Sequence, residues 1–456
     1  MSNKPRTALA VAGLSLGTAL NPLNSSMIAV ALVVLRADFG LDVAAVTWVV
    51  TSFYLASAAG QPVMGRLADR FGPRRMFMLG MALVAATCAL APFAPNFALL
   101  CVARAVMALG TATAYPSAVV MVGAIAHRAN MEPARPLGRL QMVNTSAAAV
   151  GPVVGGLLVS LVGWEALFLL NVPLALAALL IVRQAAPRDE ARERGSVAQL
   201  LRDSDIPGTL GFVAALLLVM MAALNVFPAY RWWMLAAGTV IAALFAWREL
   251  RFDRPFLDLR LLGRNKPLML IYLAFAVFSS VYYFVFFGLP QLLQEAGGYD
   301  PGVVGLLMLP LAGLSVLATP WAVRAMGRFG VRRVLIAGVV ILTVAAALMW
   351  LLTGTLVIPL VVVLTALMGV PYGTVGIATN QGMFVSIGPQ ERGVAAGIYQ
   401  TCRYVGAITA TVMIGVFAGG GVDQESWARM VLAMLVLCAV TFGVSLLWRQ
   451  RPAPRT

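Results

Sequence analysis

Two short stretches decide how this chain is read. They are Arg70-Phe71-Gly72-Pro73-Arg74-Arg75 and Arg328-Phe329-Gly330-Val331-Arg332-Arg333, which differ at one position and begin 258 residues apart. Each is basic, and each is flanked by long runs without a charge: 43–65 and 76–103 around the first, 301–323 and 334–390 around the second. A helix needs roughly 20 apolar residues to cross about 30 Å of hydrocarbon at 1.5 Å per residue. A basic turn recurring at the same place between apolar spans predicts a duplicated, membrane-embedded architecture, of the kind on which secondary transporters are built.

The remaining charge-free runs are 7–35, 105–127, 140–164, 166–182, 206–230, 232–247, 267–294 and 430–448. The run 334–390 is too long for one span and divides at Trp350–Pro359, where Thr353-Gly354-Thr355 interrupts it. The segment 393–422 is a further span broken only by Arg403, and Arg104 likewise lies inside a span, roughly two turns from its outer end. Fourteen transmembrane helices are predicted. Glu165 and Arg231, beside the two shortest runs, are expected at the interface. The surplus between the repeated turns predicts residues 1–183 as an N-terminal six-helix half, 184–265 as a charged cytoplasmic linker carrying two additional helices, and 266–456 as a C-terminal six-helix half.

Composition agrees with an all-α polytopic membrane protein. Of 456 residues, 61% are hydrophobic and 11% charged, whereas soluble domains carry about 25% charged residues. The mean hydropathy is +0.89. The formal net charge of +15 suggests nucleic acid only until the charges are placed. With the N-terminus cytoplasmic, 28 basic residues fall in cytoplasmic loops and three, Arg36, Arg231 and Arg429, on the other side. This positive-inside bias puts both termini in the cytoplasm and accounts for the charge without nucleic acid. Tryptophans near span ends, such as Trp164, Trp232, Trp233 and Trp448, form an aromatic belt. The first span exceeds a signal-peptide core of about 7–15 residues and is read as a retained helix.

Several chemistries are excluded. Cys88, Cys101, Cys402 and Cys438 lie in apolar spans without CxxC spacing, and His127 is the single histidine, so neither a metal site nor a cofactor is expected. The acidic clusters of prenyltransferases and the embedded acid or serine sets of intramembrane proteases are absent, so the chain is not read as an enzyme.

Longer motifs carry a resemblance. Trp48-Val-Val-Thr-Ser-Phe-Tyr54-Leu55 precedes Gly65-Arg-Leu-Ala-Asp69-Arg70-Phe-Gly72-Pro-Arg74-Arg75. Arg104 is followed by Ala108-Leu-Gly110-Thr-Ala112, then by Gly151-Pro152-Val-Val-Gly155-Gly156 and Phe168-Leu-Leu-Asn171-Val-Pro173. Pro255-Phe-Leu-Asp258-Leu-Arg260 and Leu289-Pro290-Gln-Leu-Leu-Gln294 complete the set. In these motifs the chain resembles the major facilitator superfamily and, within it, the fourteen-helix drug:proton antiporters. The resemblance implies the major facilitator fold, with two six-helix halves and two inserted central helices. It also implies a bacterial cytoplasmic (inner) membrane protein, expected as a monomer, that exports small amphiphilic molecules by alternating access in exchange for protons. Multidrug efflux and antibiotic resistance would follow. A dedicated exporter or importer of an endogenous metabolite or lipid, and a non-transporting sensor, are the alternatives.

The residues give this expectation candidates. Gly65, Asp69, Arg70, Gly72, Arg74 and Arg75 form a tight basic turn in which Asp69, read at a helix start, faces a helix dipole and its arginine neighbours, as a gating latch would. Gly151, Pro152, Gly155 and Gly156 permit tight packing and bending, and the resemblance assigns them to conformational change. Polar residues inside the spans mark a substrate site: Asn24, Tyr54, Gln61, Arg104, Asn144, Tyr283, Gln400 and Arg403. The family usually carries an aspartate where Asn24 stands, and none of the 18 acidic residues lies well inside a span. Asp38, with Arg104, is the candidate for proton coupling. Two embedded arginines without embedded carboxylates predict a net positive cavity that prefers neutral or anionic amphiphiles.

Overall fold

A computed structural model describes residues 4–128, 134–189, 205–252, 259–387 and 392–449, and among these every regular element is a helix. Twelve helical spans are long and apolar enough to cross a bilayer, and a thirteenth is the pair Arg6–Val30 and Leu32–Phe39, bent by 64°. Fourteen were expected. The remaining expected span coincides with Pro207–Ala223, a shorter apolar helix.

The described residues cluster into two units, one drawn from 1–40 and 48–204, the other from 41–47 and 205–456. The first contains α1 (Lys4–Met27) and α2 (Leu32–Phe39). After α3 (Val43–Val46), which clusters with the second unit, come α4 (Trp48–Phe71), α5 (Pro73–Leu90), α6 (Phe97–Ala112), α7 (Ala114–Arg128), α8 (Ala134–Leu161), α9 (Glu165–Leu169) and α10 (Asn171–Ala185). The second unit continues with α11 (Ile206–Ala223), α12 (Arg231–Glu249), α13 (Leu259–Arg264), α14 (Lys266–Glu295), α15 (Pro301–Phe329), α16 (Val331–Leu348), α17 (Ile358–Phe384), α18 (Arg392–Ala418) and α19 (Gln424–Leu447).

The bend after α1 has local causes. Pro22 removes a backbone donor inside the helix. The Ser25 and Ser26 hydroxyls donate back to the Pro22 carbonyl at 3.0 and 2.8 Å, and such back-bonding bends helices. A 3₁₀ turn, Ile28–Val30, completes the break. The break between α5 and α6 falls at Ala94–Asn96, where Asn96 caps α6 by accepting from the Leu99 amide at 2.9 Å. The charge-free runs part at Arg104, yet that residue was expected about two turns inside its span and lies so in α6: a helix begins where backbone donors are capped, not where a charge appears.

The internal repeat extends beyond the six residues that announced it. Gly72 (φ 98°) and Gly330 (φ 84°) precede α5 and α16, each 18 residues long. Arg74 Nη2 donates to the Arg183 carbonyl at 2.5 Å, and Arg332 Nη2 to the Leu446 carbonyl at 2.8 Å. Each carbonyl lies at the end of its unit's last long helix, α10 or α19. The same 258-residue offset relates Gly80 to Gly338. A side chain at Gly80 would collide with Thr113, and one at Gly338 would approach Thr374 Oγ1 to 2.9 Å. Both units thus use a glycine at one register for close helix approach.

The two helices expected as an insertion, α11 and α12, behave differently from the rest and cluster with the second unit. Only 6% of the Pro228–Glu249 span is buried, against 72% of Lys266–Glu295. The first is therefore largely open to its surroundings and the second mostly enclosed within its unit. α11 and α12 pack chiefly on each other. Asp205 caps α11 through the Gly208 amide (2.8 Å) and pairs with Arg248 at the end of α12, which ties the two ends together.

Candidate functional site

In the first unit, Arg104 sits in the second turn of α6 and is 2% exposed. Its Nε donates to the Val49 carbonyl at 3.2 Å, and its guanidinium carbon lies 4.6 Å from the Phe53 ring centre. Its Nη2 is buried and lacks a hydrogen-bond partner among the described residues. A buried cation held by one carbonyl and one ring face is incompletely compensated. Tyr54, on the same helix as Phe53, is buried, whereas Gln61 and Asn144 are half-buried. The Asn144 Oδ1 has no hydrogen-bond partner among the described residues.

Asn24 and Asn171 form a reciprocal amide pair between α1 and α10. Asn24 Nδ2 donates to Asn171 Oδ1 at 2.7 Å, and Asn171 Nδ2 donates to Asn24 Oδ1 at 2.8 Å. Each amide also donates to the carbonyl four residues before it, Asn24 to Leu20 within α1 and Asn171 to Leu167 in α9. Both ends of the Asn24 amide are therefore engaged within the packed interior. Asp38 is exposed at the end of α2 and accepts a 2.8 Å bond from the Trp164 indole. Asp38 thus pairs with Trp164, while Arg104 bonds to Val49.

The basic turn is built around Gly72. A side chain there would strike the carboxylate of Asp189, which accepts from the backbone amides of Arg74 and Arg75, both at 3.0 Å. A carboxylate at a helix N-terminus meets unpaired donors and the positive end of the dipole. Asp69 lies in the last turn of α4, not at a helix start, because the helix continues to Phe71 and the next begins at Pro73. Its side chain, like that of Arg66, lies outside the described residues. The helix start is faced by Asp189, which the sequence reading did not single out. Gly65 has room, since an added carbon would stand 3.8 Å from Pro116.

Gly151 and Gly155 form the surface where α8 meets the end of α1. A side chain at Gly151 would collide with Ser26, and one at Gly155 would lie 2.7 Å from the Met27 carbonyl oxygen and 2.9 Å from its Cα. Pro152 and Gly156, on the same stretch of α8, are buried.

In the second unit, Arg403 lies near the middle of α18, about 16 Å along the helix from Arg392 at 1.5 Å per residue. Its guanidinium carbon is 5.2 Å from the Tyr404 ring centre, and the phenols of Tyr283, Tyr404 and Tyr372 lie within electrostatic range. Tyr282 stacks on Tyr372 at 3.7 Å and 12°, and Tyr283 on Phe287 at 5.6 Å and 13°. Phe275 stacks on Tyr399 at 3.7 Å and 8°. Gln400 is half-buried one turn before Arg403. Of the candidates, the structure brings Tyr283 and Arg403 together and adds Tyr282, Tyr372 and Tyr399. Tyr372 stands in the otherwise aliphatic stretch Leu367-Met-Gly-Val-Pro371-Tyr372, which was the available signal. Among the described residues, no group of His, Cys, Asp or Glu could hold a metal ion.

A duplicated helical bundle with buried cations and polar clusters, and without a catalytic or metal constellation among the described residues, defines a polytopic membrane transporter. The family model of the Major Facilitator Superfamily matches residues 14–411, and the chain belongs to that family. It is a transporter, not an enzyme. An uncharacterized MFS-type transporter of Bacillus subtilis, YwoD, is 32% identical, with 96% of each chain covered. The tetracenomycin C resistance and export protein of Streptomyces glaucescens is 29% identical, over 93% of this chain and 78% of its own length. Among solved structures, the nucleoside transporter NupG superposes with a TM-score of 0.66 at 14% identity, covering 96% of this chain and 98% of its own. That likeness concerns the fold alone.

Proposed function

We propose that the protein exports amphiphilic small molecules by alternating access, in exchange for protons, with both termini in the cytoplasm and the monomer as the working unit. The observation that carries this reading is the similarity along 93% of the chain to a protein named for resistance to, and export of, tetracenomycin C. The placement of basic residues supports the orientation. Within the first unit, Tyr54, Gln61, Arg104 and Asn144 are the substrate-facing candidates, and Asn24 adds its polar pair with Asn171. Within the second they are Tyr283, Gln400 and Arg403. The turn Gly65–Arg75 and the segment Gly151–Gly156 carry the conformational change, with Asp69 and Asp189 as carboxylates of the latch. Asp38 and Arg104 are the coupling candidates.

The test is transport in proteoliposomes holding several unrelated amphiphilic dyes, with and without an imposed pH gradient. Gradient-dependent movement of more than one dye is expected. Movement unaffected by collapsing the gradient refutes proton exchange, and no movement of any dye refutes the export reading.

A further inference from the structure

The Arg403 cluster specifies what kind of molecule the second unit takes, an inference that rests on the export reading. Arg403 and Tyr372 keep partial exposure although rings from α14, α17 and α18 surround them. Arg403 thus sits among rings contributed by three helices of the second unit and keeps some accessible surface.

Among the described residues of the second unit, no carboxylate stands beside that charge. From α14 onward the described carboxylates, Glu295, Asp300, Asp423 and Glu425, all stand at helix ends. The neighbours of the guanidinium are phenols and ring faces. These stabilise a cation through hydrogen bonding and the ring quadrupole but do not cancel its charge. The Arg403 Nε is also buried without a hydrogen-bond partner among the described residues. A guanidinium presents its donors as a flat fork matched to a carboxylate or similar oxyanion, and the unpartnered Nε edge of this one suits such an acceptor.

The walls select shape. Tyr282 and Tyr372 lie nearly parallel at 12°, and Phe278 continues the stack on Tyr372 at 6.2 Å and 21°. Tyr372, the partly exposed member of the stack, sets the plane along which a flat partner would lie. A cationic amphiphile would find the same rings but a like charge beside them.

We propose that Arg403, with Tyr282, Tyr283 and Tyr372, forms a recognition site for planar aromatic anions. The acid group of the ligand completes the guanidinium, and its ring system lies along the tyrosines. Within the broad amphiphile class, this makes acidic aromatics the preferred cargo of the second unit.

Fluorescein and rhodamine 123 test this, because they share a xanthene ring system and differ in charge. Binding of each dye to the purified full-length protein is followed by fluorescence anisotropy, separately from gradient-driven movement in proteoliposomes. Fluorescein is expected to bind. Arg403→Gln should weaken it about tenfold or more, the scale of one lost charge-assisted contact, and leave rhodamine 123 unchanged or tighter. Tyr372→Leu should weaken both dyes, since both stack. If Arg403→Gln fails to fold, Arg403→Lys keeps the charge without the fork and should give intermediate fluorescein affinity.

Failure of wild-type protein to bind fluorescein, or equal weakening of both dyes by Arg403→Gln, overturns the site. Fluorescein binding that depends on Arg403, with no dye moved, upholds the site and refutes export. Rhodamine 123 movement without fluorescein binding does the reverse.

Discussion

Asn24 on α1 and Asn171 on α10 exchange two hydrogen bonds, at 2.7 and 2.8 Å, in a fully packed interior. An amide is both donor and acceptor, so two asparagines facing each other satisfy themselves as a pair. An aspartate at position 24 has no donor when ionised and would face Asn171 Oδ1 with a second oxygen. The asparagine thus fits its partner better than the residue usual in the resembling family.

This pair makes a stability prediction. Asn24→Ala leaves the buried Asn171 amide without its partner and should cost about 1–3 kcal/mol. Asn171→Ala should cost a similar amount, and the double variant less than the sum of the two. Thermal unfolding in detergent measures all three. Full additivity would show that the two side chains do not interact. If the pair also borders the substrate, Asn24→Ala should change dye preference as well; an unchanged preference would confine Asn24 to packing.

Asp189 and Gly72 yield a second prediction. Asp189→Ala removes the carboxylate that accepts from the Arg74 and Arg75 amides and should destabilise by about 0.5–2 kcal/mol, as loss of a helix cap does. Gly72→Ala should be worse, because it combines a positive φ of 98° with a collision against Asp189. The double variant should lose less than the sum of the two single losses, since the collision disappears while the backbone strain and the lost cap remain. If the two losses add in full, the proposed contact plays no part.

The ease of reading differed between these features for physical reasons. The basic turn and its repeat were legible because glycine and arginine at fixed offsets report local backbone needs, and Gly72 and Gly330 do adopt positive φ. The span pattern was legible because apolar length is a local property. The Ala94–Asn96 break was legible only through the placing of Arg104 two turns inside its span, because a charge-free run by itself carries no information about where backbone donors are capped. Asp189 was invisible because its amide partners lie more than a hundred residues away and any residue supplies an amide. Asn171 was quoted within a motif, yet its role depends on Asn24 standing opposite. Tyr372 and Tyr282 escaped because polar stripes were read one helix at a time, and a ring stack spanning α14 and α17 is a tertiary relation.

The two glycine positions of α8 can be set against Gly65. A methyl group at Gly155 would press on backbone atoms of Met27, at 2.7 and 2.9 Å, which cannot rotate away. Gly155→Ala should therefore force α8 from α1 and cost about 1–3 kcal/mol, the usual range for overpacking. Gly65→Ala, 3.8 Å from Pro116, should be tolerated or slightly stabilising, because alanine loses less chain entropy in a helix. Unfolding temperatures and yields of the two variants, measured side by side, check the contrast. Equal behaviour would remove the argument for a close α1–α8 approach.

Arg104 separates stability from function most sharply. It is nearly inaccessible, bonded to the Val49 carbonyl and stacked near Phe53, and one of its terminal nitrogens has no partner among the described residues. A buried cation so incompletely compensated carries a desolvation cost that an apolar side chain of similar length does not. Arg104→Met should therefore match or exceed the wild-type unfolding temperature. If the charge serves coupling or substrate recognition, the same variant should lose most of its gradient-driven transport. Arg104→Lys retains a charge but not the flat fork, so it should be less stable than Arg104→Met while retaining more transport. The decisive comparison is unfolding temperature against transport rate for the three proteins. A strongly destabilised Arg104→Met with proportionate loss of transport would make Arg104 a structural residue. A stable and fully active Arg104→Met would remove it from the mechanism altogether.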